Sequence, residues 1–70
     1  RSAIRVGAVI LAELKRRRVV PYGDVVRLVK RRIGDDGDVV VAPALSLLFV
    51  LGRIEYHAKN DTFEYRSKAS

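Results

Sequence analysis

Residues 39–51 form an almost uninterrupted apolar run, in which Pro43 and Ser46 are the two exceptions. Proline fits the first position of a helix, where its missing N–H would have no partner in any case. Gly52 follows the run and is suited to ending a helix. The run therefore predicts a third helix over residues 44–51, preceded by an extended stretch at residues 39–41. It is too short to cross a bilayer.

A helix that is apolar on every side must be buried on every side. A chain of 70 residues is too small to enclose one helix completely, so part of the third helix is expected to face another chain. Helical spacing offers two stripes for this contact. The stripes are Leu45 with Phe49, and Leu47 with Leu48 and Leu51. One stripe is expected to be core and the other to bind a protein partner, so all five are candidate interface residues.

The first half of the chain predicts a helix, a short extended stretch and a second helix, in that order. Ser2 is placed to cap a first helix over residues 3–16, and residues 19–21 read as a short extended stretch that ends in proline. A second helix follows and is expected to end at Gly34. The acidic segment 34–38 lacks the ligand spacing of a calcium loop and is predicted to be a plain connector.

Near the C-terminus, apolar and polar residues alternate on either side of a turn at residues 58–61. Ile54 and Tyr56 before the turn are expected to share the inner face of a hairpin with Phe63 and Tyr65 after it. Three helices, a short strand after the first helix and a C-terminal hairpin make the order of a winged helix. The sequence therefore predicts a single α+β domain of winged-helix type that covers the whole chain.

The net charge of +6 is concentrated in residues 1–34, which carry ten basic and two acidic residues. Two basic clusters lie at or beyond the ends of the first two helices. A basic half-chain attracts a polyanion such as nucleic acid, or an acidic protein surface. The alternative is that these side chains complement helix dipoles and keep the chain soluble. The residues predicted to contact DNA or an acidic partner are Lys15, Arg16, Arg17, Arg18, Arg27, Lys30, Arg31 and Arg32.

The sequence contains no pattern that predicts catalysis. There are no cysteines and His57 is the only histidine, so a metal site built from His and Cys ligands is not expected. Ser46 lies among leucines and the other serines lie near the chain ends, which argues against a Ser–His–Asp arrangement. The glycines do not form a phosphate-binding loop. We therefore expect a protein that is not an enzyme and that holds no metal or cofactor.

Three segments carry a resemblance to a known family. Residues 43–57 (PALSLLFVLGRIEYH) and 61–65 (DTFEY) resemble the C-terminal signature of the small middle components of bacterial ABC-three component systems. Lamassu-type anti-phage defence is the best-known relative of these systems. Residues 18–24 (RVVPYGD) are similar to the turn between the first two helices of the same proteins. The resemblance covers most of residues 4–65.

This resemblance implies a non-catalytic small subunit of an anti-phage defence complex. Its partners would be an SMC-like ABC ATPase subunit and an effector subunit, often a nuclease, which it would bridge as part of a hetero-oligomer. The third helix and the hairpin would bind protein, and the basic half would contact the DNA backbone or an acidic partner. The sequence shows no membrane span and no secretory signal, so a cytoplasmic location is expected.

The alternative function is that of a winged-helix transcriptional regulator that forms a homodimer through its apolar helix. A recognition helix in the major groove usually presents Arg, Lys, Asn or Gln to the bases. Ser46 is the only polar side chain between residues 43 and 51. The sequence therefore favours a protein partner for this helix over sequence-specific DNA recognition.

Overall fold

The computed structural model describes residues 2–67, which form three α-helices, one 3₁₀ helix and a three-stranded antiparallel sheet. The α-helices are α1 (Ala3–Arg17), α2 (Tyr22–Ile33) and α3 (Val41–Val50), and the 3₁₀ helix is Asp35–Val40. The strands are β1 (Val19–Pro21), β2 (Ile54–His57) and β3 (Thr62–Tyr65). The predicted α+β class is confirmed, and the elements follow the order predicted for a winged helix.

The ends of α1 are fixed by hydrogen bonds at both caps. The Ser2 hydroxyl accepts a hydrogen bond from the Arg5 N–H at 3.1 Å, which satisfies one of the free amides of the first turn. Arg18 has a positive φ of 77° and donates its N–H to the Leu14 carbonyl at 2.7 Å. The Arg18 carbonyl accepts from the Tyr65 N–H at 2.8 Å, so the end of α1 is tied directly to β3.

The segment between α2 and α3 differs from the prediction. Residues 35–40 form a 3₁₀ helix instead of a connector followed by an extended stretch, and α3 begins at Val41 instead of Ala44. Pro43 is therefore the third residue of α3 and not the first. The helix tolerates proline there because the amides of its first turn have no partners within the helix. Pro43 indicates that a helix begins nearby. It does not show which position of the first turn the proline occupies.

The sheet places β3 between β1 and β2, both antiparallel to it. Tyr56 pairs with Phe63, and Ile54 pairs with Tyr65. Residues directly opposite each other project on the same side of a sheet. The expected inner face of the hairpin is thus confirmed, with Ile54 and Phe63 buried at 2% and 6% exposure.

The core is formed by one face of each helix and by the inner face of the sheet. α1 contributes three side chains at helical spacing, α2 contributes three more, and α3 packs mainly against α1. The buried apolar residues are Val6, Ile10, Leu14, Val20, Val25, Leu28, Val29, Val41, Ala44, Leu45, Leu48, Ile54 and Phe63. Over residues 2–67, no helix combines the length and the apolar character needed to cross a membrane.

Candidate docking groove

An apolar groove of about 450 Å³ lies between α3 and the inner face of the hairpin. Its lining residues are Tyr22, Ala42, Leu45, Ser46, Phe49, Val50, Ile54, Tyr56 and Phe63. Ser46 and two tyrosines supply the polar side-chain groups in this lining, and none of the lining residues is charged. The groove is therefore suited to apolar side chains of a partner and not to phosphate groups.

α3 divides its apolar side chains between core and solvent. Its buried side chains are Val41, Ala44, Leu45 and Leu48. At its C-terminal end, the exposed ones are Phe49 at 63%, Val50 at 80% and Leu51 at 59%. The buried positions 41, 44, 45 and 48 recur at helical spacing, so exposure changes around the helix, and Phe49 and Val50 lie on its outward side.

The predicted division of α3 into two stripes is wrong, since each stripe contains both buried and exposed residues. Leu45 and Leu48 were candidate interface residues but belong to the core, at 7% and 4% exposure. At these exposures both residues leave almost no surface for a partner, although Leu45 forms part of the groove lining. Phe49 and Leu51 remain accessible. Val50, which neither stripe contained, is the most exposed large apolar residue in the described part of the chain.

Aromatic rings support the hairpin side of the groove. The Phe63 ring centroid lies 5.6 Å from that of Tyr22 and 5.0 Å from that of Tyr56, and both pairs are tilted. Tilted pairs at these distances contribute favourably beyond the area they bury. The Tyr56 hydroxyl donates to the Asp61 carboxylate, and this hydrogen bond raises the pKa of Tyr56. Tyr56 is therefore held as a neutral donor at the rim of the groove.

Ion pairs engage several of the predicted basic contact residues. Glu13 accepts hydrogen bonds from Arg16 at 3.0 Å and from Arg17 at 3.4 Å. Asp24 accepts from Arg17 at 3.2 Å and from Arg27. The hydrogen bond from Arg16 is the largest cause of the lowered pKa of Glu13, and the bond from Arg27, then that from Arg17, lowers the pKa of Asp24. This network ties the end of α1 to the first turn of α2.

The other basic residues have more varied surroundings. The Arg18 guanidinium lies 5.1 Å from the centroid of the Tyr65 ring, and the Lys30 ammonium lies 4.0 Å from Asp38. Within residues 2–67, no ion pair involves the three remaining predicted contacts, Lys15, Arg31 and Arg32.

The two basic clusters do not merge into one surface. Arg17 meets Asp24 in the first turn of α2, so residues 15–18 lie at the start of that helix. Residues 30–32 lie in its last turn, about 10 Å further along the axis. The structure therefore presents two separate basic patches at opposite ends of α2.

A family model described as ABC-three component (ABC-3C) system Middle Component 8 matches residues 18–66, which is more than half of the chain. The chain belongs to this family. The predicted resemblance is thereby confirmed. Every residue that lines the groove of this middle component falls within the matched span. No curated protein and no solved structure matches the chain.

The outer face of the hairpin carries a polar cluster that was not predicted from the sequence. Glu55 and Glu64 are cross-strand partners, and His57 lies two residues beyond Glu55 on the same face. The sequence alone does not place carboxylates from two strands beside one imidazole, because their proximity depends on the strand register. Ser46 lines the groove on the other side of the hairpin, so His57 and Ser46 do not form a catalytic pair in this middle component.

Proposed function

We propose that this chain is the non-catalytic small subunit of a bacterial anti-phage defence complex. In this proposal it joins an SMC-like ABC ATPase subunit to an effector subunit, and the groove between α3 and the hairpin docks an apolar segment of one of them. The observation that carries the proposal is the exposed apolar end of α3, in a chain that belongs to a middle-component family.

The size of the groove indicates what it contributes to assembly. Covering apolar surface contributes roughly 25 cal/mol per Å², so a groove lined by nine residues contributes only a few kcal/mol before costs. Association of two proteins costs about 4–15 kcal/mol in lost translational and rotational freedom. The groove alone therefore supports only a weak complex. We expect it to be one anchor within a larger interface, which suits a subunit that contacts two partners.

The outward side chains of α3 argue against the regulator alternative. Ala42, Ser46, Phe49 and Val50 line the groove, and none of them is the Arg, Lys, Asn or Gln that makes bidentate hydrogen bonds to a base. A helix with this outward face has almost no means to select a DNA sequence in the major groove. Protein docking accounts for the exposure of Phe49 and Val50, whereas DNA recognition does not.

Contact with the DNA backbone is a secondary part of the proposal and involves Lys15, Arg31 and Arg32. We expect the isolated domain to bind duplex DNA weakly and without sequence preference. A plot of log affinity against log salt should have a slope no steeper than about −3, since few phosphates would be neutralised. Tight, salt-resistant binding to one defined site would contradict this and support the regulator alternative.

Co-purification of the complex tests the docking role of the groove. Phe49→Asp and Val50→Asp should leave the free domain folded, because water already reaches both side chains. Either change should prevent assembly with the proposed ATPase and effector subunits, since it would bury an unpaired charge in the interface. The matched control is Ile4→Asp, which changes a residue that is 74% exposed and does not line the groove. Recovery of intact complex with both groove variants would refute the docking role.

A further inference from the structure

We propose that the outer face of the hairpin binds a zinc ion, or a similar borderline divalent metal, through Glu55, His57 and Glu64. The oxygen and nitrogen atoms that these side chains offer all lie within 4.8 Å of one another. The proposal is independent of the docking groove, which lies on the inner face of the same hairpin.

The strand register brings the three ligands together. Glu55 and Glu64 are directly opposite each other on β2 and β3. Side chains in such a pair start from Cβ atoms only about 5 Å apart. His57 follows on the same face, and its Nε2 atom lies 2.8 Å from a carboxylate oxygen of Glu64. Ile54 and Phe63 are buried beneath the strands, so the backbone that carries the ligands is anchored in the core.

The donor set fits zinc better than magnesium or calcium. Zinc binds imidazole nitrogen and carboxylate oxygen at about 2.0–2.2 Å, which places tetrahedral ligands about 3.3–3.6 Å apart. The ligand atoms now lie up to 4.8 Å apart. Side-chain rotations that move these atoms by about 1 Å would bring them to the tetrahedral spacing. Calcium prefers six to eight oxygens, and magnesium retains several waters and seldom uses imidazole.

Electrostatics also favours a cation at this position. Two carboxylates directly opposite each other on neighbouring strands repel, which destabilises an antiparallel pair. Two carboxylates and a neutral imidazole would balance the charge of one divalent ion. The Arg66 guanidinium lies 3.4 Å from a carboxylate oxygen of Glu55, and it supplies part of the positive charge that the two carboxylates attract. Arg66 is therefore a competitor of the metal for Glu55.

Titration of the untagged chain with zinc sulfate tests the proposal. His57 is the only histidine, so its imidazole NMR signals report on this site alone. We expect these signals to shift until one equivalent of zinc is bound, and calorimetry to give the same stoichiometry. His57→Gln and Glu64→Gln should each weaken binding by about tenfold or more, the scale of losses at metal sites. Arg66→Gln should tighten binding by up to about fivefold, the value of an exposed ion pair.

The acidic 3₁₀ helix provides the matched control. Asp36→Asn removes a carboxylate from the group formed by Asp35, Asp36 and Asp38, and it should leave zinc binding unchanged. Circular dichroism should show the same fold for all variants, because the altered side chains are exposed or half-exposed. Unmoved His57 signals at millimolar zinc would overturn the proposal. Binding of equal strength in His57→Gln would also overturn it, as zinc would then bind adventitiously elsewhere.

Discussion

Gly37 shows how a single residue controls the approach of two elements. It lies in the 3₁₀ helix, and a Cβ atom added there would be 2.9 Å from Cγ1 of Val29 and 3.1 Å from Cβ of Ile33. Both neighbours belong to α2, so the absence of a side chain allows the 3₁₀ helix to lie against it. The sequence shows the glycine but not this contact, because a turn and a close approach select the same residue.

Replacement of Gly37 by alanine should destabilise the domain by about 1–3 kcal/mol, the usual cost of forcing extra volume into a packed site. The matched control is Gly23→Ala in α2, where the nearest atoms belong to the flexible Arg27 guanidinium at 3.5 Å. Alanine favours helix over glycine, so this control should be neutral or stabilise by up to about 1 kcal/mol. Urea denaturation measures both. Equal stability of the two variants would show that the 3₁₀ helix can move away from α2 at little cost.

The two phenylalanines of the chain lie on different elements, and one belongs to the core whereas the other lies at the surface. Phe63 on β3 is 6% exposed, whereas Phe49 on α3 is 63% exposed. Phe63→Ala should lower the free energy of unfolding by about 3–5 kcal/mol, as for other buried aromatics. Phe49→Ala should change it by no more than about 0.5 kcal/mol, because the side chain is already in water. Similar losses in both variants would mean that the end of α3 is packed in the free chain.

The junction between α1 and α2 should make stability depend on pH. Folding lowers the pKa of Asp24, so the contribution of this ionised group is complete above its unfolded value of about 4 and is lost as the pH falls through the folded value. Asp24→Asn should therefore lose less stability than the parent chain between pH 6 and pH 3, as measured by urea midpoints. High salt should reduce the difference, because the pairs are exposed. Identical acid sensitivity would show that the ion pairs contribute nothing to stability.

The sequence predicted most elements because their signals are local. The cap at Ser2, the proline before α2 and the alternation around residues 58–61 each depend on a few adjacent residues. The segment from 35 to 43 was predicted less well. Three consecutive valines favour a strand in isolation, but Val41 is buried in α3 and Val39 is 74% exposed beside it. The 3₁₀ helix packs against α2, and α3 packs against α1, and these contacts override the preference of the valines for a strand. Such contacts cannot be seen in the few residues around the valines.

At the scale of the whole molecule, the groove exists only because distant segments meet. Tyr22, Phe49 and Phe63 belong to α2, α3 and β3, and no local pattern joins them. The sequence did predict that α3 has more apolar surface than this chain can cover. It could not predict which residues stay exposed, because the answer depends on which side of α3 packs against α1. The sequence did not predict the pairing of Arg17 and Arg27 with Asp24.

Thiol accessibility in the assembled complex tests the docking role of the groove most directly. The chain has no cysteines, so Val50→Cys introduces a single reporter at the most exposed apolar position of α3. Ile4→Cys is the control on α1, at similar exposure and outside the groove lining. Both thiols should react rapidly with a maleimide in the free chain. On assembly with the partner subunits, the rate at Val50→Cys should fall to a small fraction of its free value while that at Ile4→Cys is retained. Undiminished labelling of Val50→Cys in the intact complex would contradict docking at the groove.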